Sequence, residues 1–446
     1  MTWASVTLSA RRPAPVTTTV PWFHLLGGTR PLVWLVDGSQ LFELEPADAA
    51  ALAAGDERAL DELRRLALAG PRTKSPAAIR DHPQAVSLAL AQSCNLSCAY
   101  CYADSGRFGG AARRMPAEVA VRAVDALIAG AAGQPVTLGF IGGEVLLHRR
   151  ALHDVVRYAH DRADAAGVRI RFSITTNGTL VTAADVDLFR DHAFTVTVSV
   201  DGGPAVNDRH RHRAGGGGSF DRVRAGVAPL LAVPGRAKVV ARATVARDDL
   251  RVHERIEALA EVGFRQVGVS PLRTGPDPTL RFRPEDWKPF LAEMVRAAEH
   301  EVDRLRSGQP SRFGNLSVAI REIHAGSARS LPCGSATNYV AVGADGDYWT
   351  CHRTVDNARY RLGDVTDGLS LAARQAFLDG RAVDSQEPCR GCWARYLCGG
   401  GCHAEVDELG REGCDYVRGW LEHCIGVYAN CLADFPSLLH AVGAVA

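Results

Sequence analysis

Apolar runs alternate with amphipathic stretches between residue 86 and about residue 275. The apolar runs predict six β-strands, at Val86–Ala91, Val136–Gly142, Arg169–Thr175, Thr195–Val200, Lys238–Val245 and Gln266–Leu272. Helical periodicity predicts helices at Pro116–Ala132, Ala151–Ala166, Ala183–Phe189, Phe220–Leu231 and Val252–Val262. Because parallel strands need crossover helices, the alternation predicts an α/β fold, either a partial (β/α)6 barrel or a doubly wound sheet. In both architectures the functional site lies at the carboxyl ends of the strands.

The residues before this region have the pattern of a separate small unit. The predicted elements are a hairpin of Leu32–Val36 and Gln40–Leu44 and helices at Pro46–Ala54 and Asp56–Ala69. The turn dipeptide Asp37-Gly38 joins the two strands of the hairpin. Such a unit is compatible with a small winged-helix-like module or with a capping subdomain. A polar, proline-containing linker is expected over Pro71–Pro83.

The region after residue 275 becomes less regular toward its end. A helix is predicted over Glu285–Arg306, followed by a connector to residue 325. From about Leu331 onward glycines, cysteines and short turns dominate, and helical periodicity returns only near Tyr416–Cys431. A region with so few core residues needs cross-links or bound metal for stability. The sequence thus predicts three units, over residues 1–84, 85–325 and 326–446.

Composition narrows the class of protein. The 446 residues are 46% hydrophobic and 23% charged, as in a globular protein with sizeable cores. The 51 basic and 50 acidic side chains give a formal net charge of +1, which argues against a nucleic-acid-binding surface. No run approaches the roughly eighteen apolar residues of a membrane span, and Met1–Thr19 lacks the apolar core of a secretory signal. We therefore expect a cytoplasmic protein that binds neither membrane nor nucleic acid.

The cysteines are grouped rather than scattered. Of twelve, three lie between residues 94 and 101, and nine lie at or after residue 333. In a long chain without a signal peptide, this grouping favours metal or cluster ligands over disulfides. Cys94, Cys98 and Cys101 follow the first predicted strand in a Cys-x3-Cys-x2-Cys pattern, and three thiolates on one loop can bind three irons of a [4Fe–4S] cluster. The alternative is half of a zinc site, although zinc sites favour paired Cys-x2-Cys motifs.

With Tyr100 before its last cysteine, this triad resembles the signature of the radical S-adenosylmethionine (radical SAM) superfamily. The resemblance implies a partial (β/α)6 TIM-like barrel and a cluster on Cys94, Cys98 and Cys101. It further implies that the amino and carboxylate groups of SAM chelate the open iron. One electron from a flavodoxin- or ferredoxin-type donor would then cleave SAM to methionine and a 5′-deoxyadenosyl radical, which abstracts hydrogen from the substrate.

Motifs at later strand ends extend the resemblance. Gly142-Gly143-Glu144 ends the second strand where the family has Gly-Gly-Glu-Pro, with Val145 in place of the proline. The motif implies a contact to the methionyl amine, since backbone groups and a carboxylate at a strand end can hold an ammonium. Thr176-Asn177 and Ser199, at the ends of the third and fourth strands, imply further SAM contacts. Arg211 matches a position that implies a contact to the SAM carboxylate.

The later cysteines resemble the SPASM extension, which implies two auxiliary [4Fe–4S] clusters and three clusters in all. The cysteines that this resemblance assigns to one cluster are Cys389, Cys392, Cys398 and Cys414. Those that it assigns to the other are Cys333, Cys351 and Cys402. This second cluster leaves one position for a substrate thiolate or a non-cysteine ligand. Cys424 is the alternative to Cys414, Cys431 is expected to be an inert helix cysteine, and two zinc sites are the alternative to the clusters.

The surroundings of Cys351-His352-Arg353 and Cys402-His403 are most similar to those in maturases that cross-link ribosomally made peptides. The thioether-forming and quinohemoprotein-maturing branch is nearest, and residues 1–84 resemble a leader-recognition module. The resemblance implies a precursor peptide with a leader as substrate. It also makes His352 a candidate general base, or a structural hydrogen-bonding group beside the cluster.

Two other functions stay open. A sulfatase-type maturase oxidises cysteine or serine to formylglycine, but that family usually has aspartate where this chain has His352. A non-enzymatic, zinc-stapled binding protein would account for the cysteines and not for the strand-end motifs. Iron and zinc content distinguishes this last class from the enzymes.

Overall fold

The computed structural model of the chain describes residues 5–6, 21–70, 79, 81–232, 235, 237–434 and 439. Nearly all of the segment Met1–Thr19 and most of the expected linker Pro71–Pro83 lie outside the described residues. Within the described residues, no helix combines the length and the apolar character needed to cross a membrane.

The first unit is a small sheet with two helices. Its elements are β1 (Ser5–Val6), β2 (Phe23–Leu26), β3 (Leu32–Leu35), β4 (Gln40–Leu44), α1 (Pro46–Ala53) and α2 (Glu57–Ala69). The strand order is β1-β4-β3-β2, with β3 antiparallel to both β2 and β4. Val33, Leu35 and Leu63 are fully buried at the centre of this unit. The predicted hairpin and both helices are confirmed, whereas β2 was not predicted.

The second unit contains most of the regular structure. Its strands are β5 (Ala85–Gln92), β6 (Leu96–Cys98), β7 (Arg113–Arg114), β8 (Val136–Gly142), β9 (Ile170–Thr176), β10 (Thr195–Ser199), β11 (Arg211–Arg213), β12 (Lys238–Val245) and β13 (Val267–Pro271). Its helices are α3 (Ala117–Ala129), α4 (Arg149–Ala165), α5 (Ala183–Asp191), α6 (Pro204–His210), α7 (Phe220–Ala232), α8 (Val252–Val262), α9 (Trp287–Arg306) and α10 (Gly314–His324). The segment expected to be a connector before residue 325 therefore contains a helix, α10, whose Leu316, Ile320 and Ile323 are buried at helical spacing.

Six strands of this unit run parallel in the order β5-β8-β9-β10-β12-β13. Within the described residues no ladder joins β13 to β5, so the sheet is open. Residues of all six strands line a single cavity, and on β10 these are the alternate residues Thr195, Thr197 and Ser199. A sheet that lines one space with every strand must curve around it. This mixed α/β arrangement favours the partial barrel over the doubly wound sheet.

The last unit continues the same sheet. Its elements are β14 (Tyr339–Val342), β15 (Asp347–Trp349), β16 (Arg361–Asp364), β17 (Gly368–Leu369), α11 (Leu371–Leu378), α12 (Arg395–Cys398), α13 (His403–Leu409) and α14 (Cys414–Asp434). Strand β14 pairs in parallel with β5, and β15 to β17 follow as antiparallel neighbours. The four strands were not predicted. They are short, and the first of them, β14, pairs with β5, which lies far away in sequence.

Four phenylalanines form an aromatic group at the centre of the main core. Phe194 contacts Phe140, Phe172 and Phe189 with ring-centroid distances of 6.1, 5.3 and 5.0 Å. Phe140, Phe189 and Phe194 are fully buried and Phe172 is nearly so. These rings pack β8, β9 and α5 against one another behind the strand ends that carry the site.

We predict that Phe194→Ala lowers the free energy of unfolding by about 3–5 kcal/mol, because it removes a buried ring and leaves a cavity. Urea unfolding followed by circular dichroism would measure the change. Leu68→Ala is the control, since this side chain on α2 is 64% exposed, and it should shift stability by less than about 0.5 kcal/mol. An F194A loss no larger than that of the control would contradict the packing described.

Candidate active site at the strand ends

The Cys94–Cys101 loop lies at the carboxyl end of β5, where the sequence predicted it. Within the loop, β6 pairs antiparallel with β11, which places Arg211 opposite Cys98. The thiols of Cys94, Cys98 and Cys101 lie near enough to one another to interact electrostatically. The loop therefore presents the three thiols as one group, with a guanidinium beside it.

The surroundings of these three thiols fit a bound metal cluster. The Leu96 N–H and the Asn177 amide donate to Cys94 Sγ at 3.4 and 3.7 Å. Burial raises the pKa of Cys94 to about 12 and also raises that of Cys98. Thiolates at such positions need a bound cation, which an iron–sulfur cluster would supply. Hydrogen bonds to sulfur and partly buried thiols on one loop fit such a cluster.

Glu144 links the ends of two strands and is fully buried. One carboxylate oxygen accepts hydrogen bonds from Thr176 Oγ1 at 2.8 Å and from the Leu146 N–H at 3.1 Å. The other accepts from the Asn177 N–H at 2.7 Å. Burial raises the pKa of Glu144, and these three donors oppose that rise. Three hydrogen bonds within the protein thus fix the carboxylate in place, and its expected contact to a ligand ammonium stays a prediction.

The two glycines before Glu144 allow strand β8 to end against the cysteine loop. A Cβ on Gly142 would overlap the carbonyl oxygen of Ala91, and a Cβ on Gly143 would overlap that of Ser93. Gly142 also has a φ of +150°, which favours glycine. Both glycines line the cavity. Their backbone groups, rather than the Glu144 carboxylate, are the part of this motif that a ligand can reach.

Tyr100 is the centre of a second buried network. Its hydroxyl donates to Asp201 Oδ2 and accepts from Arg211 Nη1 at 2.9 Å. Asp201, at the end of β10, also accepts from the Thr244 N–H at 2.8 Å. Arg211 is only 6% exposed, yet its Nε has no hydrogen-bond partner among the described residues. Arg211 as a whole lines the cavity, so its guanidinium group lies where an anionic group such as a carboxylate could be bound.

The cavity has a volume of about 1320 Å³. Its wall includes the first cysteine triad, Ser199, Thr176, Asn177 and residues of the last unit. The later cysteines that line it are Cys389, Cys392, Cys398, Cys402 and Cys414. The volume exceeds the roughly 300–1,000 Å³ of an ordinary small-molecule pocket. It can therefore accept a cofactor and part of a larger substrate together.

The later cysteines form two groups in space. The thiol of Cys389 interacts electrostatically with those of Cys392, Cys398 and Cys414. The thiol of Cys333 interacts with those of Cys351 and Cys402. The structure therefore brings together the same sets that the sequence analysis assigned to the two auxiliary clusters.

The two remaining cysteines lie on α14, away from these groups. Cys424 and Cys431 are buried, and burial alone raises the pKa of Cys424. Cys414, at the first residue of the helix, is the one that reaches the Cys389 group. In the described part of the chain, no three His, Cys, Asp or Glu side chains are arranged around a point suited to a single metal ion.

His352 follows Cys351 and lines the cavity. Its Nδ1 lies 3.2 Å from the Tyr339 hydroxyl, and its ring meets the edge of Tyr102. Burial, with a smaller effect of Arg353, lowers the pKa of His352 to about 4. This value is close to the pKa of an ordinary aspartate, so the imidazole is neutral at neutral pH. The contact to Tyr339 fits the hydrogen-bonding alternative for His352, and its role as a general base stays a prediction.

Some cavity residues were not identified from the sequence. Tyr102 and Arg353 stack with the guanidinium 4.8 Å from the ring centroid, and Arg353 pairs with Glu405 at 3.3 Å. These residues lie beside Cys101, Cys351 and Cys402, so each was close to a recognised motif. Arg242 was also missed, although a charged residue within an apolar strand was the available signal.

Comparison with known proteins supports this description of the site. Residues 89–234 match the sequence model of the Radical SAM superfamily. This segment is therefore similar to radical SAM enzymes. It contains the cysteine loop, the Gly-Gly-Glu motif and the ends of β8, β9 and β10.

Similarity to individual proteins extends beyond the radical SAM segment. A serine-type anaerobic sulfatase-maturating enzyme of Klebsiella aerogenes is 25% identical over 388 residues, covering 78% of this chain and 91% of that protein. The structure of native anSMEcpe with bound AdoMet aligns with a TM-score of 0.65 at 18% identity, covering 81% of this chain and 99% of that one. Streptococcus suis SuiB bound to precursor peptide SuiA aligns with a TM-score of 0.50 at 14% identity, covering 86% and 96%. The two structures share the fold of this chain.

We predict that Gly143→Ala destabilises the radical SAM segment by about 1–3 kcal/mol, because the new methyl group overlaps the Ser93 backbone. Thermal unfolding should show a lower apparent melting temperature. Gly426→Ala is the matched control: this glycine lies in α14, and a Cβ added to it would meet nothing within 4 Å. The control should leave the transition unchanged or raise it slightly. Equal behaviour of the two variants would show that the close approach at Gly143 is not required.

Proposed function

We propose that the protein is a radical SAM maturase that modifies a ribosomally made peptide and installs an intramolecular cross-link. The observation that carries the proposal is the shared cavity, into which the first cysteine triad and the Cys389 group both face. A radical generated at the triad and an auxiliary cluster that accepts an electron would then serve the same substrate.

The residues at the strand ends fit SAM and its cluster. Cys94, Cys98 and Cys101 would hold a [4Fe–4S] cluster, and the guanidinium of Arg211, which lines the cavity, would receive the SAM carboxylate. The backbone of Gly142 and Gly143 would receive the amine. When bound, the cluster and SAM supply a 5′-deoxyadenosyl radical that removes a hydrogen atom from the substrate. The closed network around Tyr100 holds Arg211 in place for this task.

The later cysteine groups fit two auxiliary [4Fe–4S] clusters. Cys389, Cys392, Cys398 and Cys414 supply four thiols, whereas Cys333, Cys351 and Cys402 supply three. Arg411 lies near Cys389 and Arg418 near Cys392, so cations accompany the anionic ligands. The missing fourth thiol leaves a position for a sulfur of the substrate, which supports a thioether product.

A peptide substrate is supported by what the similar structures hold. SuiB was solved with its precursor peptide SuiA, and anSMEcpe with the Cp18Cys peptide. The first unit of this chain packs against the last one, where His24 stacks on Trp393 at 4.1 Å and Arg395 donates to the Pro21 carbonyl at 3.0 Å. We propose that this unit binds the leader segment. A flavodoxin- or ferredoxin-type protein would supply the electron.

Formylglycine formation is the second candidate, because sulfatase-maturating enzymes are similar over most of this chain. Against it stands His352, which occupies the position where that family usually has aspartate. Both candidates use the same radical and differ in the fate of the substrate carbon.

The product decides between these candidates. Candidate precursor peptides encoded beside the gene would be incubated with the anaerobic holoenzyme, SAM and a reductant, and then examined by mass spectrometry. A cross-linked peptide loses a pair of hydrogens, keeps its sulfur and does not react with a hydrazine probe. A product that forms a hydrazone would overturn cross-linking in favour of formylglycine.

We predict that Cys98→Ala abolishes formation of 5′-deoxyadenosine, because the triad can no longer hold its cluster. Cys392→Ala should leave SAM cleavage intact and stop product formation. Anaerobic assays that quantify 5′-deoxyadenosine and modified peptide in parallel would measure both effects. Normal SAM cleavage by the first variant would sink the mechanism, and normal product from the second would remove the auxiliary cluster from it.

Metal content provides the control for these variants. Three [4Fe–4S] clusters correspond to about twelve irons per chain, and each cysteine variant above should lose about four. Cys424→Ala should lose none, since this buried cysteine on α14 lies outside all three groups. Zinc without iron in the wild-type protein would contradict the enzyme proposal and support the binding-protein alternative.

A further inference from the structure

Arg242 places a cation inside the curved sheet. It lies on β12, whose Lys238, Val240, Arg242 and Thr244 all face the cavity. Arg242 is exposed and lines this cavity, and it pairs in register with Ser199 at the end of β10. Its side chain therefore lies on the level of the strand ends, next to the proposed SAM site.

The neighbouring strand is built to accommodate this arginine. Gly268 on β13 is the register partner of Arg242, and a Cβ there would lie 3.0 Å from Arg242 Nη1. The guanidinium occupies the room that the missing side chain leaves. Its Nη2 donates to Ser270 Oγ at 2.6 Å, which fixes one side of the planar guanidinium group. The other N–H groups are left for a partner in the cavity.

No carboxylate in the described part of the chain lies within salt-bridge distance of Arg242. Other cavity arginines are paired, as Arg353 is with Glu405 at 3.3 Å. Arg211 and Arg411 instead face cysteine thiols. Burial lowers the pKa of Arg242 with no acid to oppose it. A guanidinium in the cavity wall without an anionic partner can form a charge-assisted pair with a carboxylate that enters the cavity.

We propose that Arg242, held by Ser270 and Gly268, is the receptor for a carboxylate of the peptide substrate, either an acidic side chain or the C-terminus. The inference rests on the proposed function, since it names the chemistry of the substrate in the same cavity. SAM carries a single carboxylate, and Arg211 beside Cys98 already provides for it. The planar guanidinium fork suits a second carboxylate and would fix which residue of the peptide lies near the radical.

Small carboxylate probes test the proposal directly. N-acetylglutamate α-amide represents a side-chain carboxylate, N-acetylalanine a C-terminal one, and N-acetylglutamine amide is the neutral control. Their binding to the anaerobic, SAM-loaded holoenzyme can be followed by saturation-transfer NMR. At least one carboxylate probe should bind about tenfold more tightly than the amide, as a charge-assisted pair predicts.

Variants assign that preference to Arg242. Arg242→Gln should bind all three probes equally, and Arg242→Lys should keep part of the preference because it keeps the charge. Arg296→Gln is the matched control, since Arg296 pairs with Glu293 on the outside of α9, and it should behave as wild type. Retention of the preference in Arg242→Gln, or no preference in the wild type, would overturn the proposal.

Two further measurements separate this proposal from the one on which it rests. If Arg242→Gln weakens SAM binding about tenfold, the arginine serves the cofactor carboxylate and the inference fails. If the wild-type holoenzyme forms no 5′-deoxyadenosine, the proposed function fails whatever the probes show. If it cleaves SAM but prefers no carboxylate, only the assignment of Arg242 fails.

Discussion

The buried carboxylate of Glu144 is the interaction on which the geometry of the site depends. It accepts hydrogen bonds from Thr176 and from the Asn177 backbone, so it ties the end of β8 to the end of β9. The Asn177 side chain then contacts Cys94 Sγ and the Asn95 amide. A charge without solvent contact must be satisfied by its neighbours, and here this requirement also positions the first thiol of the triad. The Gly142-Gly143 turn makes the arrangement possible by bringing β8 against the backbone of the cysteine loop.

The same principle orders the other side of the triad. Asp201, Tyr100 and Arg211 form one buried network, and β6 and β11 pair so that Arg211 lies beside Cys98. Each network therefore connects a strand end to a cysteine of the triad through hydrogen bonds to a buried carboxylate. The parallel sheet supplies this convergence, since all of its strands end at the same edge.

Local patterns were sufficient to predict most of the central unit, and non-local pairings were not. Strands β8 and β12 and helix α8 have the predicted bounds, because their apolar periodicity lies within each segment. Strands β6 and β11 have three residues each, and only their mutual pairing defines them. The cysteine groups followed from motif spacing, whereas the role of Glu144 did not, because a sequence shows a carboxylate and not its donors. Arg242 was missed for a related reason. The sequence does not show that Gly268 on β13 lies opposite Arg242 and leaves room for its side chain.

The balanced composition conceals a strongly uneven distribution of charge. A net charge of +1 suggests no preference for anions, yet each cysteine group has a guanidinium close by: Arg211 at Cys98, Arg353 at Cys351 and Arg411 at Cys389. Thiolates are anionic ligands in partly buried positions, and nearby cations reduce the cost of placing them there. Arg242 is also a cation in the cavity wall, but no thiol or carboxylate of the described residues pairs with it. We therefore expect its anionic partner to be part of the substrate. Charge pairing inside the cavity, rather than overall charge, is thus the feature from which the ligands of this protein can be inferred.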